Sequence, residues 1–281
     1  MSDVAIVTGA SSGIGFEIAG TLCGLGYEVY GFGRNFDTED VSKPWESYPD
    51  KADGKFNENS NQKANEKADQ KANDKFNENH NQQANNKFNK QSKGAFHQVS
   101  CDLLDTAKLE AQIRTIKKDH EVKVLVNNAG VGYYGLHEEL NPAKIREMVR
   151  VNLEVPMVLT NLLLRDLKKS QGTIINISSV TASSSNPHGC AYGATKAGLT
   201  SFAHSLFDEA RKYGVKVVNI QPDMAKTNLY RNANFTNADE EQAYLLPEDV
   251  AGAVEFILSQ REGTVITDLT LKPQFHRIKR K

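Results

Sequence analysis

A short apolar run, a glycine-rich turn and an amphipathic helix follow one another without a gap near the start of the sequence. The apolar run occupies residues 4–7, the turn at residues 8–15 reads TGASSGIG, and apolar residues then recur at helical spacing up to Leu25. A helix that begins directly after a buried strand presents free backbone N–H groups, and these groups bind phosphate. The order therefore predicts a strand–turn–helix unit that holds the pyrophosphate of a dinucleotide.

The three glycines of the turn have separate predicted roles. Gly9 allows the tight turn, Gly13 lets the backbone approach a phosphate group, and Gly15 lets the helix pack close to the strand. The residues of this turn that we predict to bind the cofactor are Gly9, Ser11, Ser12, Gly13, Ile14 and Gly15.

Predicted strands and helices alternate along the rest of the chain. The helix predicted over residues 142–167 contains Asn152, which indicates either a surface position or a local kink in an otherwise apolar helix. Continuous apolar strands that alternate with helices predict a parallel sheet covered on both faces. We expect a three-layer, doubly wound α/β fold, with residues 1–281 forming a single domain. The further strands are predicted at 28–32, 96–101, 122–126, 173–178, 216–221 and 265–271, and the further helices at 103–118, 192–213 and 247–259.

Residues 51–90 read as ten consecutive tetrads, and we define the low-complexity insertion as residues 51–94. A period of four drifts around a helix of 3.6 residues per turn, and the pattern leaves no apolar face on a strand. Such a segment cannot bury enough apolar surface to offset its ordering entropy. We therefore predict a solvated insertion, disordered or partly helical; the alternative is a partner-binding module.

The second predicted strand ends in Gly33 and Arg34. Dinucleotide-binding folds often carry an acidic residue here, which holds the ribose 2′-hydroxyl. Arginine at this position instead suits a 2′-phosphate, because its guanidinium forms charge-assisted hydrogen bonds. We predict that Arg34 contacts this phosphate and that NADP(H) is preferred over NAD(H). The alternative is a surface arginine at a strand end.

Tyr192 and Lys196 are four residues apart, so in a helix their side chains lie on the same face. A phenol normally keeps its proton up to a pH of about 10, and a nearby ammonium favours the phenolate. We therefore expect Lys196 to lower the pKa of Tyr192 toward neutrality and Tyr192 to act as a general acid/base. Ser179 ends a predicted strand thirteen residues earlier, where its hydroxyl can reach the same substrate oxygen. For the tyrosine–lysine pair alone, the alternative is a solvated helix surface.

Composition excludes several classes of partner. The formal net charge is −1, which argues against nucleic acid, and no apolar run reaches the length needed to cross a membrane. The sequence opens without a charged leader, and its three cysteines lack metal-ligand spacing, so we expect a cytoplasmic protein with no metal. The basic residues at 276–281 are interpreted as a solvated tail.

Taken together, these residues resemble the short-chain dehydrogenase/reductase family, whose members have an NAD(P)-binding Rossmann fold. The resemblance covers nearly the whole chain apart from about residues 37–94. It rests on the glycine turn at 8–15, on Asp102 as the adenine-side acid, and on the Asn-Asn-Ala-Gly run at 127–130. The residues that match the catalytic tetrad of the family are Asn152, Ser179, Tyr192 and Lys196.

The resemblance implies a role for each of these residues. Tyr192 transfers the proton and Ser179 holds the substrate oxygen. Lys196 hydrogen-bonds the nicotinamide ribose and lowers the tyrosine pKa, and Asn152 positions a water that relays protons. The family association of arginine at position 34 with NADP(H) supports the interpretation given above. The other residues implied or predicted to contact the cofactor are Asp102, Leu103, Asn128, Ala129, Gly130, Pro222 and Thr227, together with Tyr192 and Lys196.

The chain departs from the family pattern at two places. Asp223 follows Pro222 where glycine is usual, and we interpret it as a solvent-facing carboxylate; the alternative is a group that disfavours anionic substrates. The second departure is the tetrad repeat, which stands where the family has a short helix and loop. Substrate walls are expected from residues 131–140 and 181–190, with His188 at the rim, and from a lid segment at residues 228–242. The lid segment is short and polar, which favours a small polar substrate.

These features predict an NADP(H)-dependent oxidoreductase that interconverts a carbonyl and a secondary alcohol on a small molecule. The resemblance implies a homodimer or homotetramer. One alternative is a non-catalytic dinucleotide-sensing scaffold that acts through a protein partner. Another makes the repeat a partner-binding arm on a working enzyme.

Overall fold

The computed structural model describes residues 3–36 and 93–281, so the tetrad repeat at 51–90 lies outside the described residues. A seven-stranded sheet runs through the molecule, and a separate pair of short strands lies apart from it. The strands are β1 Asp3–Thr8, β2 Glu28–Gly33, β3 Phe96–Ser100, β4 Glu121–Asn127, β5 Thr173–Ile177, β6 Lys216–Pro222, β7 Phe235–Asn237, β8 Asp268–Leu271 and β9 Ile278–Arg280. The helices are α1 Gly13–Gly24, α2 Thr106–Asp119, α3 Pro142–Val149, α4 Val155–Ser170, α5 Cys190–Ala210 and α6 Pro247–Leu258.

Successive residues of each sheet strand point to opposite faces, and each face carries its own layer of helices. In β1, Ala5 and Val7 pack in one core cluster with side chains of α1 and α6. Val4 and Ile6 pack in a second cluster with side chains of α2, α4 and α5. The sheet is thus buried on both faces, and the predicted three-layer, doubly wound α/β fold is confirmed.

The order of strands in the sheet is β3-β2-β1-β4-β5-β6-β8, and all neighbouring pairs are parallel. The order reverses between β1 and β4, and such a reversal opens a crevice at the carboxyl ends of the strands where ligands bind. Close to this point, Asn127 at the end of β4 donates from Nδ2 to Asn176 Oδ1 on β5 at 2.8 Å. The amide contact ties the two strands together below the crevice.

The helix predicted over residues 142–167 is divided at Asn152. Helix α3 ends at Val149, a π-helical turn follows at Arg150–Glu154, and α4 begins at Val155. Pro156 has no N–H and cannot donate to the Asn152 carbonyl four residues earlier. Val155 donates to Arg150 five residues back, which is the bonding pattern of a π turn. Asn152 is fully buried, so the local-kink interpretation applies and the surface interpretation is wrong.

Residues 276–281 are not a free solvated tail. Strand β9 at Ile278–Arg280 pairs antiparallel with β7 at Phe235–Asn237, inside the lid segment. The backbone N–H of Lys281 continues the pairing by donating to Asn234 O at 2.9 Å. The side chains are exposed, as expected, but the backbone is held against residues 234–237 of the lid segment.

Candidate functional site

A cleft of about 1140 Å³ opens at the carboxyl ends of the strands, over the reversal between β1 and β4. It is lined by nearly all the residues predicted to bind the cofactor or to form the catalytic tetrad. Of these, Gly15 and Asn152 do not line it, and both lie directly behind its wall. Of the predicted substrate walls, only Val131 from residues 131–140 lines the cleft, and none of residues 181–190 does, His188 included. The residues that the fold brings together here are Gly9, Ser11, Ser12, Gly13, Ile14, Arg34, Asp102, Leu103, Asn128, Ala129, Gly130, Ser179, Tyr192, Lys196, Pro222 and Thr227.

The glycine turn between β1 and α1 requires glycine for its shape. Gly9 and Gly13 have positive φ angles of 68° and 56°, which side-chain-bearing residues rarely adopt. A Cβ atom at Gly9 would lie 2.9 Å from the Ala129 Cα, and one at Gly15 would lie 2.3 Å from the Gly9 carbonyl oxygen. The turn is therefore a close-packed cradle that presents backbone N–H groups at the start of α1, as phosphate binding requires.

A hydroxyl and an amide clamp this turn to the end of β4. The Thr8 hydroxyl donates to Val126 O at 3.3 Å and accepts from the N–H groups of Asn128 and Ala129, both at 3.0 Å. Asn128 donates from Nδ2 to Thr8 O at 2.9 Å. Asn128, predicted to bind the cofactor, lines the cleft, and its side-chain contacts shape the turn from behind. The role of Thr8 was not predicted, because a threonine at a strand end has no distinctive sequence signal.

The far end of the cleft carries the residues expected near adenosine. Arg34 is exposed at the rim, just beyond β2, and its carbonyl accepts a hydrogen bond from Ser100 at 3.2 Å. Asp102 accepts from the Leu104 N–H through Oδ1 at 3.0 Å and so shapes the loop before α2. A Cβ at Gly33 would lie 2.9 Å from Ser11 Cβ. The small residue therefore leaves the space between the glycine turn and Arg34 open.

The near end of the cleft brings Ser179, Tyr192 and Lys196 together. Tyr192 and Lys196 lie one turn apart on α5, and both are buried, with exposures of 5% and 4%. The Lys196 ammonium lies 5.8 Å from the centre of the Tyr192 ring and donates to Ile177 O at 2.7 Å. Ser179 follows β5, and its side chain hydrogen-bonds Tyr192. The solvated-surface interpretation of the tyrosine–lysine pair is therefore wrong.

Burial sets the pKa values of this pair. It raises the pKa of Tyr192 to about 12, against a smaller lowering by the hydrogen bond from Ser179. Burial also lowers the pKa of Lys196 to about 8. The predicted lowering of the tyrosine pKa toward neutrality is therefore wrong for the protein alone. The reason is that desolvation of the phenolate outweighs the attraction of an ammonium that is itself disfavoured by burial.

Asn152 connects the π turn to the cleft wall. Its Oδ1 accepts from Val131 N and its Nδ2 donates to Val131 O, both at 2.9 Å. Nδ2 also donates to the Thr195 hydroxyl at 3.1 Å, and Thr195 lies beside Lys196 on α5. The carboxamide thus fixes the loop after β4 against the helix that carries the tyrosine.

A cluster of aromatic rings packs on Tyr192 through Tyr134. The Tyr134 ring lies 5.7 Å from Tyr192, 5.9 Å from Tyr230 and 5.3 Å from Phe235, measured between ring centres. Tyr230 and Phe235 belong to the lid segment at residues 228–242. The lid segment therefore presents an aromatic surface to Tyr192, where its overall composition indicated a polar one. The sequence does not indicate which way a few aromatic residues in a polar segment point, so this surface was not predicted.

The loop after β6 forms the remaining wall. Asp223 lines the cleft with its side chain 15% exposed, so it does not face solvent as expected. Its φ is not left-handed, since Gln171 and His188 are the only non-glycine residues with positive φ in the described parts of the chain. Thr227 lies across from the glycine turn: a Cβ at Gly13 would be 3.4 Å from its methyl group.

Residues 3–36 and 93–281 contain neither a metal-ligand cluster nor a membrane-spanning helix. In that part of the chain, no group of three or more His, Cys, Asp or Glu side chains could hold a metal ion. None of the helices found there combines the length and the apolar character needed to cross a membrane.

Comparison with known proteins agrees with this geometry. The family model described as short chain dehydrogenase matches residues 64–238. An uncharacterized oxidoreductase of Staphylococcus epidermidis is 28% identical over 273 residues, which cover 96% of each chain. A 3-oxoacyl-[acyl-carrier-protein] reductase of Buchnera aphidicola is 33% identical over 165 residues, covering 55% of this chain and 66% of the relative.

Among solved structures, the chain is similar to an alcohol dehydrogenase from the archaeon Thermococcus sibiricus. The TM-score is 0.74 at 21% identity, and the match covers 99% of both chains. At this identity the likeness shows the fold.

Proposed function

This chain belongs to the short-chain dehydrogenase family, and we propose that it is an NADP(H)-dependent oxidoreductase that interconverts a carbonyl and a secondary alcohol. The general class, an oxidoreductase acting on CH–OH or C=O groups, follows from the family and from relatives named as oxidoreductases. The observation that carries the finer proposal is the meeting of Tyr192, Ser179 and Lys196 at one end of a cleft whose other end is a glycine cradle.

The residues of the cleft fit a dinucleotide. The cradle at Gly9 and Gly13 would hold the pyrophosphate on backbone N–H groups. Asp102 and Leu103 would lie beside adenine. At the other end, Lys196 and Tyr192 would meet the nicotinamide ribose. The nicotinamide itself would lie against Asn128, Ala129, Gly130, Pro222 and Thr227.

Preference for NADP(H) is supported by Arg34. It lies at the rim of the cleft beyond Gly33, on the strand end where a 2′-phosphate would come to rest. The Thermococcus sibiricus alcohol dehydrogenase structure is a complex with 5-hydroxy-NADP. We propose the same class of cofactor here.

The chemistry of the chain itself is proton transfer at the substrate oxygen. Bound NADPH would supply the hydride. Because its pKa is raised to about 12, Tyr192 keeps its phenolic proton at neutral pH and can donate it to a carbonyl oxygen. Ser179, hydrogen-bonded to Tyr192, is placed to hold the same oxygen.

Lys196 is suited to restore the proton on Tyr192 after each turnover. Its pKa of about 8 lies close to neutral pH, where a group gains and loses protons readily. Asn152 positions the loop at Val131 that borders this end of the cleft. We propose that protons pass between Tyr192 and solvent through Lys196, at the end of the cleft that Asn152 helps to shape.

A dinucleotide-sensing scaffold is the alternative from another class. It has no use for a serine hydroxyl hydrogen-bonded to a buried tyrosine at the head of the cleft. We therefore favour the enzyme. We further propose a homodimer or homotetramer built on α4 and α5, since Val149 and Met157 leave apolar surface exposed beside these helices (42% and 37%). Light scattering on the purified chain tests the oligomer.

The test of function is a screen of small aldehydes, ketones and secondary alcohols that follows the absorbance of reduced nicotinamide. With the best substrate, Tyr192→Phe should lower turnover by at least about 10²-fold, since it removes the transferable proton and keeps the ring. NADPH binding, measured by fluorescence titration, should persist. Tyr213→Phe is the matched control, because Tyr213 is 45% exposed and does not line the cleft. Near-normal turnover in Tyr192→Phe would exclude the proposed mechanism.

A further inference from the structure

Three cationic side chains at alternate positions near the end of the sequence all contact one segment. Arg277 donates from a guanidinium nitrogen to Glu240 Oε1 at 2.6 Å, and Lys279 donates to Asp239 Oδ2 at 2.8 Å. Lys281 donates from Nζ to Tyr230 O at 2.8 Å. Side chains two residues apart in a strand lie on the same face, so this alternation directs all three cations to the lid segment.

The backbone makes the same connection. Residues Phe235, Thr236 and Asn237 of β7 pair in register with Arg280, Lys279 and Ile278 of β9. At the start of this stretch, the N–H of Phe275 donates to Gln242 O at 2.9 Å. The lid segment is thus bound from Tyr230 to Gln242 by a chain segment that is remote in sequence.

Contacts continue from this connection to the proposed catalytic tyrosine. Lys281 Nζ also donates to Arg231 O at 3.2 Å, and the two carbonyls that it contacts belong to the short turn that carries Tyr230. The Tyr230 ring packs on Tyr134, and the Tyr134 ring packs on Tyr192. Phe235 of β7 packs on both Tyr134 and Tyr230. The position of this aromatic wall therefore depends on where residues 277–281 hold the lid segment.

We propose that residues 277–281 form a strap whose Arg277, Lys279 and Lys281 position the lid segment, and so the substrate wall over Tyr192. These are positioning residues, since none of them lines the cleft. The part of this inference that concerns substrate rests on the proposed function. The part that concerns the lid segment does not, and the two are measured separately.

The ion pairs that hold the strap are exposed to solvent, so the choice of variant depends on how much each pair contributes. Arg277 and Glu240 are each 53% exposed, and Lys279 and Asp239 are 56% and 82% exposed. Single ion pairs of this kind contribute little, and a two-stranded sheet is marginal on its own. Reversing two charges together replaces two attractions with two repulsions on the same ladder. The double variant Arg277→Glu/Lys279→Glu is therefore the informative change.

Hydrogen–deuterium exchange tests the position of the lid segment without any substrate. In Arg277→Glu/Lys279→Glu, peptides from residues 228–242 should exchange about tenfold faster, as expected when a locally stable unit opens more often. Adding Asp239→Lys/Glu240→Arg reverses the partners as well and should restore protection. The control Lys118→Glu/Arg261→Glu makes the same change in net charge at other exposed positions and should leave these peptides unchanged. Unchanged exchange in the first variant would overturn the strap.

Steady-state kinetics test its consequence, with NADPH and ethyl acetoacetate as the activated ketone probe. The KM for the ketone should rise about five- to tenfold in Arg277→Glu/Lys279→Glu, while the Kd of NADPH changes less than about twofold. The four-residue charge swap should restore the KM. Faster exchange with an unchanged KM would overturn the role in substrate positioning. If the wild-type chain reduces no carbonyl at all, the proposed function fails, and the exchange data still decide whether the strap holds the lid segment.

Discussion

Replacing Lys196 with methionine should remove a pH dependence of stability that comes from its buried ammonium. Burial lowers the pKa of Lys196 from 10.5 to about 8. Between these two values the unfolded chain binds a proton that the folded chain does not, so the free energy of unfolding rises with pH. This contribution of Lys196 to the free energy of unfolding is fully present above pH 10.5, the pKa of the lysine in the unfolded chain. It is lost progressively as the pH falls from there to about 8, the pKa in the folded chain.

The size of the effect follows from the two pKa values. Comparing the populations of protonated lysine in the folded and unfolded states, the gain between pH 7 and pH 10 is about 2.5 kcal/mol. In the wild type this rise is opposed above pH 9, because burial raises the pKa of Cys23 from 9.0 to about 12, and further above pH 10, because burial raises the pKa of Tyr192 from 10.0 to about 12. Above pH 10 the folded chain holds the tyrosine proton that the unfolded chain releases, and stability falls again.

The assay is urea unfolding of the chain without added nucleotide at several pH values between 7 and 10. The difference in the free energy of unfolding between the wild type and Lys196→Met isolates the contribution of the lysine, since the other titrating groups are common to both proteins. Lys118→Met, at an exposed position, is the control and should keep the wild-type dependence on pH. If Lys196→Met shows the same rise in stability as the wild type, the buried ammonium does not account for it and the reasoning is refuted.

Two other predictions concern the cofactor and the insertion. Arg34→Ala should weaken the binding of NADP(H) by about 10- to 100-fold, which corresponds to the loss of one hydrogen bond to a charged group. The binding of NAD(H) should stay nearly unchanged. Equal losses of affinity in titrations with both cofactors would show that Arg34 does not contact the 2′-phosphate. We propose that residues 51–94 are an insertion within a single domain, and deletion of residues 51–90 should leave the melting temperature and the NADP(H) kinetics near those of the full chain, because loop-closure cost changes by only about 0.6 kcal/mol per doubling of length. Both flanks pack on the domain, Phe36 against Phe96 and Gly94 by donating to Cys23 O. A large fall in melting temperature would instead mean that the repeat is a folded part of the protein.

The fold could be predicted from the sequence because its signals are local and repeated. Alternation of apolar strands and helices predicted the doubly wound sheet, and the glycines at 9, 13 and 15 predicted the turn. The helix predicted from residue 103 begins at Thr106 because Asp105 caps it, accepting from Lys108 N at 3.1 Å. The π turn also had a local signal, since Pro156 lies four residues after Asn152.

The remaining features depend on contacts between distant residues. The aromatic wall joins Tyr134 to Tyr230 and Phe235, about a hundred residues apart, and composition alone made the lid segment polar. The strap pairs cations near the end of the chain with Asp239 and Glu240, and no periodicity connects those two stretches. The pKa of Tyr192 was predicted in the wrong direction because burial, which sequence does not show, is the larger effect.

Deuterium transfer tests both hydride transfer to a carbonyl and the role of Tyr192 in a single measurement. NADPH with both hydrogens at C4 of the nicotinamide replaced by deuterium is incubated with the chain and a ketone, and the alcohol product is analysed by mass spectrometry. We expect one deuterium on the carbinol carbon in the wild type, with at least about 10²-fold less labelled product per unit time in Tyr192→Phe. Labelled alcohol formed equally fast by the Tyr192→Phe variant, or no labelled alcohol from any ketone with the wild type, would contradict the proposed function.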